Sequence, residues 1–230
     1  MIDIHSHILP GIDDGAKDAR ESLAMLSDSF SQGVRYCVAT PHVSVRYESD
    51  IASFREKRTR SIKLLEEGLR NYKGDFPRLM LGAEVYIDRD ISELKGLDKL
   101  CMANTPYLLT ELSFQKYNEM YAEWLYSLTM KGITPIIAHV ERYPYYRRLI
   151  NDIKDIDVVY QVNAKTLLTL HGRRFADHLC KSGSFVVAAS DMHNTTDRRC
   201  RMKQAYDRLA KRSQVLADEL FDKNPRQLFK

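Results

Sequence analysis

The chain has 230 residues, 44% of them hydrophobic, and its 35 Lys and Arg against 31 Asp and Glu leave a formal charge of +4. That is enough chain for one domain with a sizeable core, and the modest charge, with no continuous basic and aromatic-interleaved tract, argues against a nucleic-acid partner. No stretch approaches the roughly 18 uninterrupted apolar residues of a membrane span, and the start Met1-Ile2-Asp3-Ile4-His5 has neither a basic region nor an apolar run, so a cytoplasmic protein without membrane insertion is expected.

Along the chain, short runs rich in β-branched residues alternate with longer helical patterns, as in repeated βα units. A strand at 2–5 leads to a helix at 16–32, whose apolar stripe is Leu23, Met25, Leu26 and Phe30 and which stops at Gly33. Strand 36–40, helix 51–72, and strands 79–84 and 107–111 follow. Helix 117–131 ends at Gly132, and then come strand 134–139, helix 145–151, strand 158–162, helix 173–182, strand 184–190 and a last helix at 197–220. Residues 224–230 read as a frayed tail. There is no repeat, low-complexity segment or Pro/Gly/Ser linker, so the expectation is one α/β domain over 1–230, a barrel-like parallel sheet of seven strands.

The four cysteines, Cys37, Cys101, Cys180 and Cys200, contain no Cys-x-x-Cys pair, which suits a reducing compartment and gives no structural zinc knuckle. Six positions after them stand Val43, Tyr107, Val186 and Tyr206, so the Cys-x5-Arg loop of cysteine-based phosphatases is missing.

Of the seven histidines, His5, His7, His42, His139 and His193 lie at or just past the C-terminal end of a predicted strand, whereas His171 and His178 do not. Glu84, Glu111 and Asp191 occupy the same kind of place. In parallel α/β barrels the loops from all strands converge at this end, which is where active sites form. His5-Ser6-His7 and Asp191-Met192-His193 each put two donors on one side of a strand. A carboxylate at the end of an apolar strand needs a compensating charge, from a cation or from an arginine such as Arg89 beside Glu84. Within Asp13-Asp14-Gly15 either aspartate is a candidate ligand, and the sequence also suits a plain turn and helix cap. Imidazoles and carboxylates without thiolate favour Mn, Fe, Zn or Co, and this many donors imply two or three ions. Such a site lowers the pKa of water and supplies hydroxide to a phosphoester. Arg142, Arg198 and Arg199 are candidates to hold the phosphate oxygens. Tyr47, Tyr143, Tyr145 and Tyr146 either line an aromatic pocket or pack loops onto the barrel.

The segments Asp3-Ile4-His5-Ser6-His7-Ile8-Leu9-Pro10-Gly11-Ile12-Asp13-Asp14-Gly15, Ala39-Thr40-Pro41-His42, Gly82-Ala83-Glu84, Ala138-His139-Val140-Glu141-Arg142, Gln161-Val162-Asn163-Ala164 and Ser190-Asp191-Met192-His193-Asn194 span the chain. Together they resemble the polymerase and histidinol phosphatase (PHP) superfamily, and within it the bacterial metal-dependent tyrosine phosphatases associated with capsular and exopolysaccharide synthesis. The resemblance implies a distorted (β/α)7 barrel with three divalent ions, manganese first among the choices. One ion would be held by His5, His7, Glu84 and Asp191, a second by Glu84 as bridge with Glu111 and His139, and a third by Asp14, His42 and His193. It implies Asp14 rather than Asp13 as ligand, phosphate contacts from Arg142 and from Arg198 or Arg199, and a phosphotyrosine substrate on the tail of a bacterial tyrosine kinase. The stretch Thr195-Thr196-Asp197-Arg198-Arg199-Cys200 departs from the Arg-Pro-Pro of many relatives. The alternatives are a small-molecule phosphatase, for instance on histidinol phosphate, a nuclease-like phosphodiesterase, and a non-enzymatic regulatory barrel.

Overall fold

A computed structural model describes residues 1–230. Its nine strands are β1 (Ile2–Ser6), β2 (Tyr36–Ala39), β3 (His42–Ser44), β4 (Arg78–Leu81), β5 (Glu84–Tyr86), β6 (Tyr107–Glu111), β7 (Thr134–Ile137), β8 (Val159–Asn163) and β9 (Phe185–Ala189). The nine occupy the seven expected strand positions, because two of those positions are broken midway. Between β2 and β3 the chain carries Thr40-Pro41, and Pro41 has no N–H for the ladder. Between β4 and β5 it carries Gly82-Ala83 at the same level. The breaks answer each other, with Gly82 N–H donating to Ala39 O at 2.9 Å and Glu84 N–H to Pro41 O at 3.0 Å.

Every strand pairing is parallel, in the order β1-β2-β4 and then β3-β5-β6-β7-β8-β9. The ring closes where β9 returns to β1, through a parallel bridge between Ser6 and Met192 and the bonds Asp191 N–H to His5 O (3.0 Å) and His7 N–H to Met192 O (2.9 Å). The buried Asp3 side chain adds a stitch, accepting from Ser190 N–H at 2.9 Å. The product is a seven-position α/β barrel of the expected class.

The helices are α1 (Ala19–Ser31), α2 (Glu48–Leu69), α3 (Tyr121–Met130), α4 (Tyr146–Asp152), α5 (Ala164–Leu167), α6 (Leu170–Lys181), α7 (Met202–Ala210), α8 (Gln214–Asp218) and α9 (Asn224–Gln227), with a π turn at Glu219–Lys223 before the last. Local caps set several starts. Asp18 accepts from Glu21 N–H at α1, Thr169 from Gly172 N–H at α6, and Ser213 from Leu216 N–H at α8, each satisfying an otherwise orphaned donor.

Two expectations need correction. The helix at 197–220 is interrupted: Asn194 Oδ1 accepts from Thr196 N–H (2.9 Å) and Arg198 N–H (3.0 Å), folding this stretch into a turn, and the chain turns again at Ser213. The tail is not frayed. Asn224 Nδ2 donates to Val186 O, and Leu228 is buried with Ile2, Ile4, Val38, Leu109, Ile136, Val159 and Val187 inside the barrel. Exposing an apolar side chain of that size costs about 2 kcal/mol, which is reason enough for the tail to close the N-terminal end. A larger apolar core fills the space between barrel and helices, so side chains lock both walls and leave the C-terminal strand ends for polar groups.

Candidate metal centre

All nine proposed ligands converge at those strand ends. β1 delivers His5 and, just past it, His7; β3 begins with His42, β5 with Glu84, and β6 ends on Glu111. His139 and Asp191 follow β7 and β9 with φ of 33° and 51°, the left-handed region that side-chain-bearing residues rarely occupy. Both unusual turns are tied down, the first by His139 N–H donating to Gln161 Oε1 at 2.7 Å and the second by the bond from Asp191 N–H to β1.

Glu84 is the centre. Its carboxylate is 1% exposed, and Oε2 lies 3.1 Å from His5 Nε2, 3.3 Å from His7 Nε2 and 3.0 Å from His42 Nδ1. Oε1 faces His139 Nε2 at 3.0 Å, which Glu111 Oε1 approaches at 3.5 Å. Asp191 Oδ1 lies 3.6 Å from His5, 3.7 Å from His7 and 3.5 Å from His193. Asp14 Oδ1 lies 3.5 Å from His42 and 3.4 Å from His193, opposite Glu84. The tightest groupings, with donor atoms within 4.8 Å of one another, are His7, Asp14, His42 and His193; His5, His7 and Glu84; and His42, Glu84 and Glu111. They differ from the expected sorting in giving His7 and His42 a place in two groups each and in leaving Asp191 and His139 outside all three. The alternative partner for Glu84 fails, since Arg89 turns instead to Asp88 at 3.1 Å.

The electrostatics describe a site that demands positive charge. Burial pushes His7 down, but Asp13 on one nitrogen and Glu84 on the other outweigh it and hold the ring at about 10. Burial likewise opposes protonation of His139, and Glu111 with Glu84 raises it to about 9. Asp191 is held at about 2 against its burial by the charges of His5 and His139. His193 goes the other way, to about 3, through burial and the charge of His7, whose ring stacks on it at 3.7 Å. Glu84 Oε2, His139 Nδ1 and His193 Nε2 are buried without a well-aligned hydrogen bond. Divalent cations meet that demand, taking oxygen and nitrogen lone pairs and displacing protons, so the donor set fits metal.

Three buried polar side chains support the ring from behind, as ligand-orienting groups do in metal sites. Asp13 Oδ2 accepts from His7 Nδ1 (2.8 Å) and from His42 N–H (3.0 Å), which distinguishes it from the half-exposed Asp14. Gln161 Oε1 accepts from His5 Nδ1 at 3.0 Å, leaving Nε2 to face Glu84. Asn163 Nδ2 donates to Asp191 Oδ2 at 2.8 Å. Sequence reasoning noted Gln161 and Asn163 only within a motif. Two amides at alternate positions of an otherwise apolar strand were the available signal. Gly15 passes so close that a Cβ there would lie 2.1 Å from His7 O, which pins the Asp13–Asp14 turn against β1.

Above the ring lies a cleft of about 470 Å³ whose lining includes Asp14, His42, Glu111, Phe114, Arg142 and Arg198. Arg142 reaches Asp191 Oδ2 at 3.2 Å, and Arg198 reaches Asp191 Oδ1 and Asp14 Oδ2, both at 3.3 Å. Arg199 does not join them. It turns the opposite way and pairs with Asp28 of α1 at 2.7 Å, which leaves it outside the cleft lining. The tyrosines pack loops: Tyr143 OH accepts from Leu112 N–H, Tyr145 OH donates to Ser113 O, Tyr146 packs on Phe175, and Tyr47 stands exposed at the start of α2. No helix is long and apolar enough to cross a membrane.

The chain is similar to known proteins over its whole length. The sequence profile of the family "Capsular polysaccharide synthesis, CpsB/CapC" matches residues 1–230. The tyrosine-protein phosphatase CpsB of Streptococcus pneumoniae is 32% identical over 99% of this chain and 98% of its own. The tyrosine-protein phosphatase YwqE of Bacillus subtilis (strain 168) is 31% identical over 89% of this chain and 82% of its own. Among solved structures, one from the pair YwqE of B. subtilis and CpsB of S. pneumoniae, described as unique metal-dependent tyrosine phosphatases, superposes with a TM-score of 0.75 at 26% identity, over 100% of this chain and 91% of that one. A lactonase from Listeria monocytogenes, at 12% identity and a TM-score of 0.56, shares the fold alone. With a match from the first residue to the last and near-complete coverage of curated relatives, the chain belongs to the CpsB/CapC family of capsular polysaccharide synthesis.

Proposed function

We propose that this chain is a metal-dependent protein-tyrosine phosphatase, one catalytic domain over residues 1–230, acting on phosphotyrosine in the regulation of capsular or exopolysaccharide synthesis. The observation that carries the reading is the convergence of five imidazoles and four carboxylates, Glu84 at their centre, with Arg142 and Arg198 at the mouth. His5, His7, Asp14, His42, Glu84, Glu111, His139, Asp191 and His193 would hold three divalent ions, manganese being the first choice. Bound there, such ions would supply an activated water as nucleophile and positive charge to offset that of the leaving tyrosyl oxygen.

The protein's own part is placement. Asp13, Gln161 and Asn163 fix the orientation of His7, His5 and Asp191. Arg142 and Arg198, both anchored on Asp191, direct N–H donors at the non-bridging phosphate oxygens. Neither cysteine chemistry nor a phosphoenzyme is required. The substrate is a phosphotyrosine protein, and a bacterial tyrosine kinase tail is the partner we favour from the relatives' role in polysaccharide synthesis. Four free cysteines suit a reducing, cytoplasmic setting.

The test is turnover of p-nitrophenyl phosphate, a phosphotyrosine peptide and histidinol phosphate, with and without chelator, beside His139→Ala. We expect manganese-supported turnover, highest on the phosphotyrosine peptide, that disappears on chelation and falls at least about 100-fold in the variant. Activity that survives either treatment would overturn the mechanism, and a strong preference for histidinol phosphate would overturn the substrate.

A further inference from the structure

Between Glu111 and α3 the chain forms a short loop that three tyrosines hold in place. Tyr143 OH accepts from Leu112 N–H at 3.0 Å, Tyr121 OH accepts from Ser113 N–H at 3.1 Å, and Tyr145 OH donates to Ser113 O. The next residue, Phe114, is thereby fixed at the mouth of the cleft. Its ring lies 5.3 Å from the ring of Tyr143 and 5.3 Å from that of His139, and the Arg142 guanidinium carbon lies 4.6 Å from its centroid. The ring is nonetheless 38% exposed and lines the cleft together with Tyr86 and Val43. A rigidly held aromatic side chain, open on the side that faces the cleft and beside a phosphate-binding arginine, is a wall shaped for another flat ring.

We propose that Phe114 is a specificity-determining residue that selects aryl over alkyl phosphate esters. With the phosphoryl group between Arg142 and Arg198, the ester's organic group leaves toward the mouth, where Phe114, Tyr86 and Val43 supply apolar surface. A phenyl ring gains contact there that a seryl methylene is too short to make. Phe114 also holds the Arg142 guanidinium over its face, so the wall and the phosphate grip are joined.

This inference rests on the phosphatase reading, and one experiment separates the two. Turnover is measured on two peptides identical except for phosphotyrosine or phosphoserine, with the intact protein, Phe114→Ala, Phe114→Leu and Phe114→Tyr, and the fluorescence of the single tryptophan, Trp124, and thermal melting report folding. We expect the ratio of kcat/KM for phosphotyrosine over phosphoserine to fall about 3- to 10-fold in the Ala and Leu variants, mainly through KM, and to return in Phe114→Tyr. An equal loss on both peptides would mean that Phe114 serves only to hold Arg142 and would overturn the proposal, as would an unchanged ratio. Absence of turnover in the intact protein would instead refute the phosphatase reading itself.

Discussion

The cleft over the candidate metal centre and a larger cavity elsewhere in the molecule make an instructive pair. The second, about 860 Å³, runs between α4 and α6 over the starting ends of β8 and β9, with Tyr160, Phe175 and Phe185 in its lining and Arg147, Lys154 and Arg174 around it. It is nearly twice the volume of the cleft, and it holds His171 and His178, the two histidines that do not stand at strand ends. Those two imidazoles are exposed on helix α6 and have no carboxylate within ion-pair reach, whereas His5, His7, His139 and His193 are almost fully buried against Glu84, Glu111, Asp14 and Asp191. Convergent, desolvated, oppositely charged donors are costly to assemble and therefore mark function, while empty volume between two helices is cheap.

Substitutions on the two sides sharpen that contrast. Glu84→Gln keeps the volume but removes the charge at the centre, and we expect kcat/KM to fall about 1000-fold, with bound manganese reduced in elemental analysis of the purified protein. A variant that keeps its manganese and its rate would erase the distinction between the cavities. Next in size come the arginines. Arg142→Ala and Arg198→Ala should each lower kcat/KM about 100-fold, whereas Arg199→Ala, which loses only a partly buried pair with Asp28, should stay within about two-fold and cost about 1 kcal/mol of stability. A reversed order for Arg198 and Arg199 would move the phosphate contact from Arg198 to Arg199. The smallest effect on catalysis belongs to the larger cavity: Phe175→Ala should lower Tm, from a loss of about 3 kcal/mol of packing, and leave the phosphotyrosine rate of the folded protein within about two-fold. A large rate loss there would give that cavity a part in turnover.

What the sequence disclosed and what it withheld divide along the range of the interactions. The seven strand positions were legible because each is a short apolar run whose burial is decided by its own composition. The placement of His42, Glu84 and Glu111 at strand ends followed from those runs. The breaks at Thr40-Pro41 and Gly82-Ala83 escaped notice because they are set by bonds between strands about 40 residues apart, although proline and glycine stood in plain view. The same holds for the different settings of Asp13 and Asp14, of which Asp13 is held by His42 N–H, 29 positions away, and for the opposite directions of Arg198 and Arg199, which depend on where α1 puts Asp28. The tail misled because its polar residues outnumber Leu228 and Phe229, the two that enter the barrel's apolar end. Phe114 was invisible as a cleft residue because only the tyrosine hydroxyls that fix its loop give the ring a direction.

The left-handed backbone at His139 and Asp191 bears on how this protein would respond to selection for heat resistance. Each position costs about 1 kcal/mol relative to a residue at ease there, and glycine is that residue. A library screened only for survival at high temperature would accordingly be drawn toward glycine at 139 and 191, enriching robust barrels that have surrendered an imidazole and a carboxylate. Any programme to harden this scaffold has to score turnover alongside melting, because at these two positions the two qualities pull apart.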